Sequence, residues 1–208
     1  VENGDEVLCI TISSKLSGCY QSACIAAEEF PGKVVVVDTL NAAIGERLLI
    51  ELAISARDEG KNVSEIAALL NEQKHHIRLI ALLDTLEYLK KGGRISSASA
   101  FAGTLLSIKP VIAIENGEVA TLGKARGSKN GNNMLRELVE KNGGINFQMP
   151  YALAYTGLND DLLQKYISDS IALYEGKTDR LPIYCIGSTI GTHAGPGAVA
   201  VAFFSAEE

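Results

Sequence analysis

Val7-Leu8-Cys9-Ile10-Thr11-Ile12-Ser13-Ser14-Lys15-Leu16-Ser17-Gly18 sets an apolar, β-branched run directly before a cluster of hydroxyls. The segment that follows, residues 19–30, carries a helical pattern, so the stretch reads as a strand handing over to a helix N-terminus. Working outward, residues 34–37 read as a second strand, and residues 42–59 as a helix whose polar face is Arg47, Glu51, Ser55 and Asp58. Pro31-Gly32 and Gly60 punctuate the joins. Asn62, three residues before Glu65, makes a capping box that opens a helix to residue 74, with Val63, Ile66, Ala67 and Leu70 on one face. Strands that alternate with helices in this way predict a parallel sheet covered by helices.

A new unit begins at Ile77. Residues 77–83 form an apolar strand, 84–91 a short helix stopped by Gly92-Gly93, and 96–106 a helix of small residues. In that helix Ala98, Ala100, Ala102 and Gly103 serve either close packing or the wall of a ligand site. Residues 110–114 and 118–122, separated by Glu115-Asn116-Gly117, predict a hairpin with an Asn-Gly turn. Residues 128–141 read as a helix, 151–155 as a strand, and 160–174 as one helix with Leu163, Tyr166/Ile167, Ser170/Ile171 and Tyr174 inward. The fold class is α/β in two domains: residues 1–76 with a parallel sheet and residues 77–208 with a mixed sheet, and a ligand site between them.

Near the end stands Ile186-Gly187-Ser188-Thr189-Ile190-Gly191-Thr192-His193-Ala194-Gly195-Pro196-Gly197-Ala198, between the apolar runs 181–186 and 199–204. It reads as a loop between two strands. Its glycines let backbone N–H groups converge, and Ser188, Thr189, Thr192 and His193 add donors, a combination that holds a carboxylate or phosphate. Glycines and hydroxyls also make plain turns. The hydroxyl cluster at residues 13–18 is a second stretch of the same kind, and two such stretches in one chain predict a shared anion pocket. Gly187-Ser188-Thr189-Ile190-Gly191 comes near a Gly-x-Ser-x-Gly nucleophile elbow with Thr189 at the nucleophile position, so a Ser/Thr-His acyl hydrolase using His193 is the competing reading.

The composition narrows the classes. The 208 residues are 47% hydrophobic with no apolar run near the length of a membrane span, and the net charge of −6 argues against general nucleic-acid binding. Cys9, Cys19, Cys24 and Cys185 are scattered, without ligand spacing, so neither a metal site nor a disulfide framework is expected and a cytoplasmic location fits best. No phosphate-loop or dinucleotide fingerprint is present, so no cofactor is expected. Between residues 90 and 129, however, seven basic residues face two acids, Glu115 and Glu118, which predicts either a solvated face or a docking surface for something acidic.

Ser13-Ser14-Lys15-Leu16-Ser17-Gly18-Cys19-Tyr20-Gln21-Ser22-Ala23, Leu83-Asp84-Thr85-Leu86-Glu87-Tyr88-Leu89-Lys90-Lys91-Gly92-Gly93-Arg94-Ile95-Ser96 and residues 186–198 resemble, in order, the motifs of the DegV family of bacterial fatty-acid-binding proteins. Some members are the acyl-carrying subunit of fatty acid kinase, in phospholipid metabolism. The resemblance implies a bound long-chain fatty acid whose carboxylate meets Ser14, Ser17, Gly18, Thr192 and His193, with Arg94 supporting the head-group site. It implies a partner or head-group face at Lys124 and Arg126, an ATP-dependent kinase subunit as partner, and no catalysis by the chain itself. The family's leading Thr-Asp-Ser-Thr-like and Thr-Ser-Gln-Pro-like motifs have no match, and position 1 is Val. The expectation is therefore an N-terminally truncated chain, incomplete at the carboxylate and exposing an apolar face that either pairs as a homodimer or weakens the fold.

Overall fold

The computed structural model describes residues 1–95 and 108–206. The first sheet is the pair β1 (Val7–Thr11) and β2 (Val34–Asp38), parallel, with Val7 opposite Val34 and Thr11 opposite Asp38. Parallel neighbours need a crossover, which α1 (Cys19–Ala27) supplies. Then come α2 (Ala43–Asp58) and α3 (Val63–Gln73). The capping box of α3 forms as read: Glu65 N donates to Asn62 Oδ1 at 3.0 Å and Asn62 N to Glu65 Oε2 at 2.9 Å. Its apolar stripe, Ile66, Ala67 and Leu70, is buried.

Among the described residues the second sheet has six strands in the order β5-β4-β3-β8-β6-β7. They are β3 (Ile77–Leu82), β4 (Ile108–Glu115), β5 (Glu118–Arg126), β6 (Tyr151–Tyr155), β7 (Ile183–Cys185) and β8 (Val199–Phe204). In it β6 and β7 pair in parallel and the other described pairs are antiparallel, so the sheet is mixed. The β4–β5 hairpin turns at Asn116 and Gly117 with φ of 51° and 86°, the double positive φ that an Asn-Gly turn of type I′ requires. The last strand, β8, lies inside the sheet between β3 and β6 and is covered on both faces, which explains an apolar run without polar alternation. Alternate residues of β3 feed two cores. Leu79 and Ala81 join an apolar cluster that continues through Leu48 and Leu70 to Val37 of the first sheet, while Ile80 and Leu82 pack with Leu135, Leu163 and Tyr166 on the other face.

The remaining helices are α4 (Glu87–Lys91), α5 (Gly127–Lys141), α6 (Asp161–Asp169) and α7 (Ser188–Ala194). Three expectations need correction. Residues 186–198 are not a loop throughout, because residues 188–194 close into α7 between β7 and β8. The predicted helix over 160–174 breaks at Ser170, and a 3-10 turn at Ile171–Leu173 follows α6. The tighter turn keeps Tyr174 buried and brings its hydroxyl to donate to the Tyr166 hydroxyl at 3.3 Å inside the core, leaving Ile171 exposed. The predicted strand over 181–186 contracts to Ile183–Cys185. The small-residue helix over 96–106, with Ala98, Ala100, Ala102 and Gly103, falls outside the described residues.

Candidate functional site

Between the second sheet and the loop that follows β1 lies a cavity of about 270 Å³ whose wall is nearly all apolar. The loop is fixed from inside. Ser13 is buried, and its hydroxyl donates to the Gly117 carbonyl at the hairpin tip (2.7 Å) while accepting from Lys15 N (3.2 Å). Gly117 is required for that approach, since a Cβ there would stand 2.5 Å from Ser13 Oγ. Ser17, further along the loop, borders the cavity; its hydroxyl donates to Cys19 Sγ (3.1 Å) and accepts from Cys19 N (3.3 Å).

Arg94 ties this loop to the other half of the site. Its Nε donates to the Leu16 carbonyl at 3.0 Å and its Nη1 to the Gly92 carbonyl at 2.6 Å. Gly92 in turn seats His193: a Cβ at Gly92 would lie 2.1 Å from His193 Nδ1. That nitrogen is sealed from solvent with no hydrogen-bond partner among the described residues, and the imidazole borders the cavity. The second contact between α7 and α4 is Gly195 against the Tyr88 ring, which a Cβ at Gly195 would meet at 2.3 Å. Ser17, Arg94 and His193, drawn from three separate segments, therefore stand together around Gly92 and Leu16.

The other residues expected at the head group sit differently. Ser14 is exposed and donates its backbone N–H to Asp38 Oδ1 (3.2 Å); Gly18 is exposed at the N-cap of α1. The Thr192 hydroxyl donates to the Ser188 carbonyl of its own helix at 2.8 Å, and neither Ser14, Gly18 nor Thr192 borders the cavity. Lys124 and Arg126 are exposed on β5, also off the cavity wall. Within the basic region Lys91 pairs with Glu87 (2.6 Å) and Lys109 with Asp84, so part of its charge is locally balanced.

Sequence reasoning missed Thr156 and the packing role of Gly92. Thr156 is buried on the cavity wall; its hydroxyl donates to the Gly195 carbonyl (2.5 Å) and accepts from Ala198 N (2.8 Å), holding the turn that ends α7. No spacing rule marks a threonine just after a strand. Gly92 carried only the signal of a helix stop. Thr189 and His193, one turn apart on α7, both border the cavity. An apolar enclosure with a few convergent polar groups suits a ligand that is mostly hydrocarbon with one polar end. Among the described residues no group of His, Cys, Asp or Glu is arranged to hold a metal ion, and no helix is long and apolar enough to cross a membrane.

Residues 1–206 match the family model described as an uncharacterised protein of the DegV family. A DegV domain-containing protein of Clostridium perfringens is 35% identical over 209 residues, covering 98% of this chain and 71% of that protein. Among solved structures, a DegV family protein from Thermus thermophilus described for its fatty acid binding has 32% identity and a TM-score of 0.86, with 98% of this chain and 72% of that one covered. A DegV family protein from Eubacterium eligens loaded with heptadecanoic acid has 27% identity and a TM-score of 0.81, with 97% and 73% covered.

Proposed function

This chain belongs to the DegV family, and from that premise we propose that it is a fatty-acid carrier. It buries a long acyl chain in the apolar cavity and holds the carboxylate at Ser17 and His193, with Arg94 bracing the two segments that bear them. The observation that carries this reading is a nearly all-apolar enclosure beside which Ser17, Arg94 and His193, from three distant segments, are brought together. Relatives described as binding fatty acids, or loaded with one, share the fold. Burying about 15 methylenes at roughly 0.8 kcal/mol each gives about 12 kcal/mol before entropic losses, so the chain supplies affinity and the head group sets orientation.

Mass spectrometry of lipid extracted from the purified protein tests this: a fatty acid should be recovered. His193→Ala and Ser17→Ala should each weaken fatty-acid binding by about 1–3 kcal/mol, the cost of leaving a carboxylate under-paired. Wild-type affinity in both variants would remove the head-group assignment. If no fatty acid is retained and acyl esters are turned over in a reaction that Thr189→Ala abolishes, the hydrolase reading replaces the carrier.

The carrier presents its carboxylate in the cytoplasm to an ATP-dependent kinase for acyl-phosphate formation, with Lys124 and Arg126 at the docking face. Support for this finer step is the exposure of both side chains on β5, away from the cavity. Arg126→Glu should leave fatty-acid affinity unchanged while lowering acyl-phosphate formation by an added fatty acid kinase about tenfold, near 1.4 kcal/mol. Equal loss of both would move Arg126 into the binding site.

A further inference from the structure

The register of the second sheet determines the path open to an apolar guest. Ala154 of β6 pairs with Ala200 of β8, and Ala200 pairs with Ala81 of β3, so three alanines stand side by side across three central strands. All three face the cavity. Ala81 pairs next with Ile112 of β4, and two residues on, on the same face, Ile114 pairs with Val119 of β5. Ile112, Ile114 and Val119 also border the cavity, so the low floor of alanines ends against branched side chains. At the opposite corner are Thr156 and Ala198, beside the end of α7 that carries His193.

From these placements we infer that the acyl chain runs diagonally over the alanine floor, with its methyl end stopped by Ile114 and Val119, which set the chain length accepted. The inference rests on the carrier reading above. From Ala198 to Val119 the path crosses three strand spacings of about 4.8 Å and about four residue rises of roughly 3.3 Å, a diagonal of about 20 Å. An extended hydrocarbon with bonds of about 1.5 Å advances roughly 1.25 Å per bond, so this path fits a chain of about sixteen carbons. Ala200 and Ala81 lie on the strands this diagonal crosses first, and a larger side chain at either would rise into the path between the sheet and the loop above it, while Ala154 on β6 leaves room beside its start.

The test is the chain-length profile of bound acids, read by mass spectrometry after incubation of the delipidated protein with equimolar laurate, palmitate and arachidate. Wild type should select palmitate. Val119→Ala and Ile114→Ala should each shift occupancy toward arachidate at least threefold, and Ala200→Leu should lower palmitate retention at least tenfold relative to laurate. Ile80→Val, on the opposite face, should leave the profile unchanged and controls for general loosening. Because Val119→Ala and Ile114→Ala only remove atoms, they remain informative if Ala200→Leu fails to fold. Bound acid with the same profile in both would overturn the inference and leave the carrier reading standing. Retention of none of the three acids by wild type would overturn the carrier reading and this inference with it.

Discussion

Gly195→Ala should be among the most damaging single-methyl additions in the protein, lowering stability by about 2–6 kcal/mol. Two independent costs meet at that position. Its backbone has φ 74° and ψ 172°, a region that is essentially restricted to glycine and costs other residues about 1–3 kcal/mol. The new Cβ would also lie 2.3 Å from Tyr88 Cδ2 and 2.7 Å from Cε2, so the ring must leave its seat on α7, an overpacking cost of about 1–3 kcal/mol. The thermal midpoint should fall by roughly 4–24 °C, at about 2–4 °C per kcal/mol for a chain of this size. Gly191→Ala is the matched comparison, because a Cβ there meets nothing within 4 Å and alanine is the better helix former. It should be neutral or stabilising by up to about 1 kcal/mol. Equal thermal midpoints for the two variants would remove the argument from Gly195.

Thr156→Val should cost about 2–4 kcal/mol although the two side chains have nearly the same shape. The substitution removes the donor to the Gly195 carbonyl and the acceptor for Ala198 N at once. Each buried group left without a partner costs about 1–3 kcal/mol. Thr156→Ser keeps the hydroxyl and loses one methyl, so it should recover most of the stability. Chemical denaturation of the three proteins checks this, and a valine variant as stable as the serine variant would show that the hydroxyl is not what holds the turn. On the carrier reading proposed above, fatty-acid binding should weaken with it, since the turn anchored by Thr156 ends the helix that bears His193.

Local signals in the sequence match the structure where local chemistry decides the outcome. Asn62 and Glu65 satisfy each other's backbone, Asn116-Gly117 takes the double positive φ of its turn, and the apolar stripe of α3 faces the core. What escaped was set by distant parts of the chain. Gly191, inside α7, weighs against a helix on propensity alone, while Gly187 and Gly195 fall at its two caps; the packing of His193 on Gly92 and of Tyr88 on Gly195 holds α7 through contacts across about a hundred residues that no local pattern encodes. The insertion of β8 between β3 and β6 is equally non-local. At the cavity wall, Ser17 and His193 stand in the hydroxyl- and glycine-rich stretches whose composition points to an anion pocket, whereas Arg94 enters only through the family resemblance. The alanine floor was not legible, because Ala81, Ala154 and Ala200 become neighbours only through strand register.

The bond from the Ser13 hydroxyl to the Gly117 carbonyl spans 104 positions of the chain, and this has a consequence for the order of events during translation. Chains leave the ribosome N-terminus first at roughly 5–20 residues per second, so residues 13–18 wait about 5–20 s before the hairpin tip that fixes Ser13 has even been made. His193 is added later still. A nascent chain halted between those points carries the hydroxyl-rich stretch in full but lacks the hairpin tip and the helix that complete the wall, so the cavity can close only once residue 193 has left the ribosome.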